Sequence, residues 1–211
     1  MVFKRRNPRS LSGWAREMVY PRGGFRRATQ YVMHRMRRLP DEPERVARGF
    51  AAGVFISFTP FFGFHFLGAV VIAWALRGNI LAALLGTFVG NPVTTPIIAI
   101  SSVGLGQWMM GIPGMMELPQ IGRAFGQAGT QVWENVSAIF TPRVMHWDHL
   151  REFFHDIYLP YLIGGILPGI AVSVLFYWLT VPLVRAYQRM RSNKAVERAE
   201  RREALRRLPR E

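Results

Sequence analysis

"GTFVGNPVTTPII", residues 86–98, lies inside one of the most apolar stretches of the chain, yet it holds Asn91, three threonines and the prolines Pro92 and Pro96. Proline removes a backbone donor and clashes with the preceding turn, and the residue ahead of it is pushed towards extended or turn backbone. Two prolines four residues apart therefore interrupt any helix that runs through this stretch. In hydrocarbon the freed amides and carbonyls have no water to bond, so protein must enclose them or a wet cavity must reach them. The fold turns on this reading, a helix broken at bilayer depth.

Working outward, three apolar segments, 49–76, 80–110 and 157–184, each exceed the roughly 20 residues that a crossing needs. The first is interrupted at "TPFFGFH" by Pro60 and Gly63, the second at "GNPVTTP" by Pro92 and Pro96. The third has prolines at 160, 168 and 182 and aromatic residues towards both ends. It reads as one simple transmembrane helix, with Pro168 as a candidate kink. Pairs of small residues, Gly49/Gly53 and Gly86/Gly90, give the two broken segments a similar outline. Such an outline fits an inverted pair of discontinuous helices enclosing a site, but small residues four apart, Gly165/Gly169 among them, more often serve simple helix packing.

The charge is segregated to the ends. Residues 1–48 carry a net +9, residues 185–211 carry +6, and the 136 residues between them carry −1. Basic ends around an apolar middle fit an integral protein of the bacterial inner membrane, with both termini in the cytoplasm beside anionic lipid. Membrane lipids are thus the expected partners. Nucleic acid is not, since neither a zinc-finger spacing nor an RNP-like run is present. The absence of cysteine excludes disulfides, thiolate metal sites and a cysteine nucleophile. The first apolar run begins near Gly49 behind a long polar leader, so it reads as an internal membrane segment and not as a cleavable signal.

With both ends on one side, the number of crossings is even. The third segment supplies one, so the first two together supply an odd number. Arg77, in the short "LRGN" connection, favours a re-entrant hairpin for the first segment and a crossing for the second; the reverse assignment is the alternative. Residues 111–156 then face outside, with a loop at "GIPGMMELPQIG" and an interfacial helix at "FGQAGTQVWENVSAIF".

The chain so divides into a basic leader (1–47), a membrane domain (48–184) and a basic helical tail (185–211). The leader offers two amphipathic pieces, "SLSGWAREMVY" and "FRRATQYVMHRMRRL". In the second, Phe25, Val32, Met36 and Leu39 recur among arginines, as in a helix lying on an anionic membrane or in a solvated basic arm. "PDEPERVARGF" reads as a helix start, with Asp41 or Glu42 near the cap, Pro43 in the first turn and Glu44 complementing the dipole. In the tail, Glu197/Arg201 and Glu203/Arg207 stand at helical spacing, as in a solvated helix that extends the last crossing. The expected fold class is an all-α membrane protein with two interrupted segments, one simple transmembrane helix and basic amphipathic helices at both ends.

From Arg48 to Gly111 a combined pattern stands out: G-x-x-x-G-x-F at Gly49, P-x-x-G at Pro60, R-x-N at Arg77, and G-T-x-x-x-N-P-x-T-x-P from Gly86 to Pro96. This resembles the bacterial membrane family known as domain of unknown function 2062, closely to Gly111 and loosely to about Val184. The resemblance implies an integral inner-membrane protein and supplies no reaction, substrate or cofactor.

Candidate sites follow from the breaks. Asn91, Thr94 and Thr95 either offer oxygens to an ion or polar headgroup, or cap the broken ends; capping is obligatory and binding is not, so capping is expected first. His65, just past the first break, is an ionisable group at membrane depth, either a proton relay or ligand contact, or a neutral ring bonded across to the other break. Arg77 and Asn79 are candidates for a lipid phosphate, against the plainer reading of an anchoring charge and a turn. In "HWDHLREFFHD", His149, Glu152 and Asp156 share a helical face. That spacing lacks the H-E-x-x-H pattern, and an interfacial helix explains the same residues, so no metal is expected.

The favoured function is a small transport or lipid-translocation-type module, expected as a homo-oligomer, with a polar pocket around Asn91, Thr94, Thr95 and His65. The alternative is a non-transporting scaffold or assembly partner that recruits lipid or another complex. An enzyme is disfavoured, because apart from His65 the membrane region offers no acid–base pair and no nucleotide motif or cofactor site is present.

Overall fold

The computed structural model describes residues 24–113, 116–142 and 144–207, and every regular element among them is helical. The first amphipathic piece of the leader lies outside the described residues, as do the side chains of Glu203 and Arg207. The chain groups into two units that divide after Pro40. The first unit holds α1 (Gly24–Arg37), whose last turn carries His34, Arg35 and Arg37, a charge placement that suits the helix dipole.

The second unit begins with α2 (Pro43–Ile56), started by Pro43 in its first turn with Glu44 beside it. The helix stops where Pro60 approaches, through tight turns at Ser57, Phe58 and Thr59 that bond back three residues. Gly63, at φ 86°, reverses the chain into α3 (His65–Ala75). This helix returns alongside α2: a Cβ on Gly68 near its start would touch Ile56, and Gly78 just past its end packs on Gly49. A 14-residue helix rises only about 21 Å, so α2 and α3 form a hairpin shorter than a bilayer core.

Asn79 then starts α4 (Ile80–Gly86), which ends in a single 3-10 turn, Thr87–Val89. α5 (Thr94–Met110) follows, bent 83° from its predecessor. Next comes α6 (Leu118–Ala138), held by a capping box between Glu117 and Gln120. That box starts the helix inside the stretch read from sequence as a loop, because Leu118–Pro119 behind a capping glutamate is a helix start. Last are α7 (Asp148–Phe153), a five-residue π turn (Phe154–Tyr158) and α8 (Leu159–Arg207). α8 runs unbroken through Pro168 and Pro182 and carries the basic tail as one helix.

Glycines set the helix separations. α2 and α4 run parallel, with Gly49 against Asn79 and Gly53 against Ala83 and Gly86. A Cβ on Gly53 would stand 2.0 Å from the Ala83 carbonyl oxygen, so only hydrogen fits. The two broken segments thus meet in parallel and not as an inverted pair, with Gly53 of the first small-residue pair against Gly86 of the second. α5 packs on α8 through glycines too, but antiparallel, with Gly106 on the Pro160 carbonyl and Gly164 on that of Ser102. Gly165 lets the Phe58 carbonyl approach, which seats the tip of the hairpin on α8.

Large apolar side chains cover the outside. Trp74 is 75% exposed, Trp108 78%, Trp133 73% and Trp178 68%, while the buried core is built mainly of alanine and valine. The stretch Asp148–Lys194 is the one described helix long and apolar enough to cross a membrane, and α4 with α5 passes the same test as a bent pair.

Candidate functional site: the two helix breaks

The second break is built by Asn91. Pro92 has no N–H for the Phe88 carbonyl, and Asn91 supplies the missing donor: its Nδ2 lies 3.4 Å from the Phe88 oxygen and 3.3 Å from that of Val89. Its Oδ1 accepts the amides of Val93 (2.9 Å) and Thr94 (3.2 Å), the first free donors of α5. Thr94 Oγ1 accepts the Asn91 amide at 3.0 Å and donates to the Val89 carbonyl. Asn91 and Thr94 therefore cap the broken ends, and both side chains are occupied.

Polar groups at this break without a hydrogen bond among the described residues include the Pro92 carbonyl and the Thr95 hydroxyl. The Pro92 carbonyl would be bonded in a helix by the N–H of residue 96, which is a proline. The Thr95 hydroxyl makes no hydrogen bond, although its amide bonds the Asn91 carbonyl at 2.8 Å. Pro92 and Val93 are exposed and Asn91, Thr94 and Thr95 are half-buried, so the break lies at the surface of the domain.

At the first break, Thr59 Oγ1 bonds the Ile56 carbonyl at 2.7 Å. His65 places Nε2 3.2 Å from the Thr59 carbonyl, a contact made by a ring N–H, which puts the proton on Nε2. His65 thus ties the start of α3 to the end of α2, and its ring meets Phe62 edge-on at 5.4 Å. Phe62 also meets Phe125 of α6 at 5.2 Å and Tyr161 of α8 at 6.0 Å, so aromatic rings cover the hairpin tip.

The breaks touch through Ser57, which the sequence reading did not single out. Ser57 Oγ lies 3.3 Å from the Thr87 carbonyl and 3.1 Å from that of Gly53, and a Cβ on Gly90 would meet the Ser57 side chain at 3.0 Å. No hydrogen bond among the described residues joins His65 to Asn91, Thr94 or Thr95, so the four pocket candidates belong to two adjacent local networks. The signal for Ser57 was available: a hydroxyl one turn beyond Gly53 is placed to bond its carbonyl.

At the opposite end of the hairpin Asn79 is fully used. Its Oδ1 accepts the Ala82 amide at 2.8 Å as the cap of α4, and its Nδ2 donates to Asp41 at 3.0 Å. Asp41 also pairs with Arg45 at 3.4 Å, and its carbonyl accepts Gln188 at 2.8 Å. Glu44 pairs with Arg185. A backbone hydrogen bond, and after it Arg185, holds the Glu44 carboxyl below its usual value. Arg77 is exposed at φ 51°, and its carbonyl accepts Arg48 Nη2 at 3.2 Å.

On α7, His149 Nδ1 and Glu152 are 4.0 Å apart and both exposed. No group of three metal-binding side chains occurs among the described residues, and Asp156 lends its carbonyl to Gln107 at 3.0 Å.

The sequence profile of the family described as "Uncharacterized protein conserved in bacteria (DUF2062)" matches residues 26–193. No curated protein and no solved structure matches the chain.

Proposed function

The chain belongs to the bacterial family DUF2062, and from its two helix breaks we propose that it is a lipid-translocation-type module of the inner membrane. In this reading α8 crosses once, α4 and α5 cross together as a broken span, and α2–α3 is a re-entrant hairpin. Both basic ends stay in the cytoplasm. The observation that carries the proposal is the position of the second break. Gly90–Thr95 lies at the domain surface with the Pro92 carbonyl and the Thr95 hydroxyl unpaired. Hydrocarbon does not tolerate such groups, so water or lipid headgroups must reach them. An exposed polar break of this kind, level with the end of a hairpin about 21 Å deep, gives a polar headgroup a foothold inside a roughly 30 Å apolar layer. The exposed tryptophans on α3, α5, α6 and α8 support a lipid-covered surface.

Scrambling of a fluorescent phospholipid in proteoliposomes tests the function. The wild type should exceed protein-free vesicles, and Thr95→Val, which removes no cap, should slow the exchange while leaving the thermal midpoint in place. A wild type no faster than empty vesicles would favour the scaffold reading, in which a second copy or a partner covers the break. Topology is tested separately, since the chain lacks cysteine. A cysteine at exposed Glu42 should be shielded from an impermeant maleimide in intact cells with a permeabilised outer membrane, and one at exposed Glu134 of α6 should react.

A further inference from the structure

The turn between α3 and α4 holds an arginine where glycine is usual. The Gly78 amide bonds the Ala73 carbonyl at 2.7 Å and the Arg77 amide bonds that of Trp74 at 3.0 Å, the two bonds of a Schellman ending. Its left-handed position is filled by Arg77, the single described residue other than glycine with positive φ. A β-carbon in that conformation is disfavoured, and glycine follows immediately at 78, so the backbone itself gives no reason for an arginine here. What the position does provide is an exposed guanidinium at the base of the hairpin.

Arg48 of α2 is its neighbour, donating through Nη2 to the Arg77 carbonyl. Arg48 Nε is buried and has no hydrogen-bond partner. The acids of this end are engaged elsewhere, Asp41 with Arg45 and Asn79 and Glu44 with Arg185. Among the described residues no carboxylate lies within 4.0 Å of Arg48 or Arg77. The Arg48 guanidinium thus reaches the backbone of Arg77 with one buried donor unpaired, and Glu44, the single acid of α2, acts on it only through space because its carboxylate is paired with Arg185. The sequence paired Arg77 with Asn79, but the cap of α4 consumes Asn79 and leaves Arg48 as the second donor.

Resting on the membrane placement given above, we infer that Arg48 and Arg77 form a seat for a phosphate oxyanion at the base of the re-entrant hairpin. Anionic phospholipid headgroups present that chemistry at this level, and the planar forks of two arginines suit it. Free inorganic phosphate is the other source of the same group.

Native mass spectrometry of the full chain in detergent tests the seat, with phosphatidylglycerol, phosphatidylethanolamine and inorganic phosphate titrated in separate arms. Three variants are compared with the wild type: Arg77→Gly, which relieves the left-handed β-carbon and so keeps or raises the thermal midpoint, Arg48→Gln, and Arg189→Gln on the exposed part of α8. A lipid seat predicts tighter binding of phosphatidylglycerol than of phosphatidylethanolamine, lowered about tenfold by the first two changes, the factor carried by one charge-assisted hydrogen bond, and unchanged by the third. The same pattern with inorganic phosphate alone would assign the seat to the free anion. Wild-type affinity for both ligands in a folded Arg77→Gly protein would overturn the inference. So would an equal loss in Arg189→Gln, which would reduce the effect to overall charge. The readout is made in detergent, so a failed topology experiment and a failed seat remain distinguishable.

Discussion

Replacing Gly53 by alanine tests whether close glycine contacts hold the hairpin to α4. The added Cβ would stand 2.0 Å from the Ala83 carbonyl oxygen and 2.8 Å from the Gly86 α-carbon, whereas ordinary contact begins near 3.4 Å. Both obstacles are backbone, so no side chain can swing aside. Restoring contact at Ala83 alone means parting the helices by about 1.4 Å. That motion also loosens Gly49 from Asn79 and Ser57 from Thr87. Overpacking of this kind costs roughly 1–3 kcal/mol, with the upper end expected against rigid backbone. Alanine returns up to about 1 kcal/mol through its better helix propensity, leaving a net destabilisation of about 1–2 kcal/mol. Gly126→Ala is the matched control: it lies inside α6 with nothing within 4 Å of the added Cβ, so only the propensity gain operates. Melting followed by tryptophan fluorescence in one detergent should lower the midpoint of Gly53→Ala by several degrees and raise that of Gly126→Ala, at about 2–4 °C per kcal/mol for a chain of this length. Midpoints that move in the same direction for both would refute the packing argument.

Three further outcomes follow from the same structure. Asn79→Ala removes the α4 cap and the bond to Asp41, and should cost about 1–2 kcal/mol in the same melt; an unchanged midpoint would show that the cap is not holding the turn. Asn91→Ala strips two carbonyl and two amide contacts at once, so it should destabilise by about 2 kcal/mol or more, whereas Thr95→Val should fall within about 0.5 kcal/mol of wild type; equal effects would contradict the capping role of Asn91. Glu44 has a folded-state carboxyl held below its ordinary 4.5, so its contribution is present above that value and fades as pH falls through the lowered one. The difference in midpoint between wild type and Glu44→Gln should therefore shrink on acidification, and a gap that widens instead would reverse the sign.

Much of this was legible in the residues because proline and glycine act locally. Pro60 and Pro92 each follow a helix end, Pro43 opens a helix, and Asn91 beside Pro92 is a cap by its own chemistry. The capping box of α6 was equally local, and the loop reading over 111–122 gave its Gly and Pro residues more weight than the Glu117–Gln120 spacing. The site was less legible. His65 and Asn91 looked like one pocket because both follow breaks, but His65 bonds six residues back and Asn91 two and three residues away.

The sequence by itself determined the class of element, the breaks at Pro60 and Pro92 and the asymmetry of charge, since these depend on backbone donors, sterics and counts, whereas Pro168 and Pro182 stay inside one helix. Only the tertiary structure decided which breaks meet, that Ser57 and not His65 joins them, that Asn79 is spent on a cap, and that Arg48 stands beside Arg77. Those facts depend on how closely two backbones approach, which the glycines permit but whose partner no local rule selects.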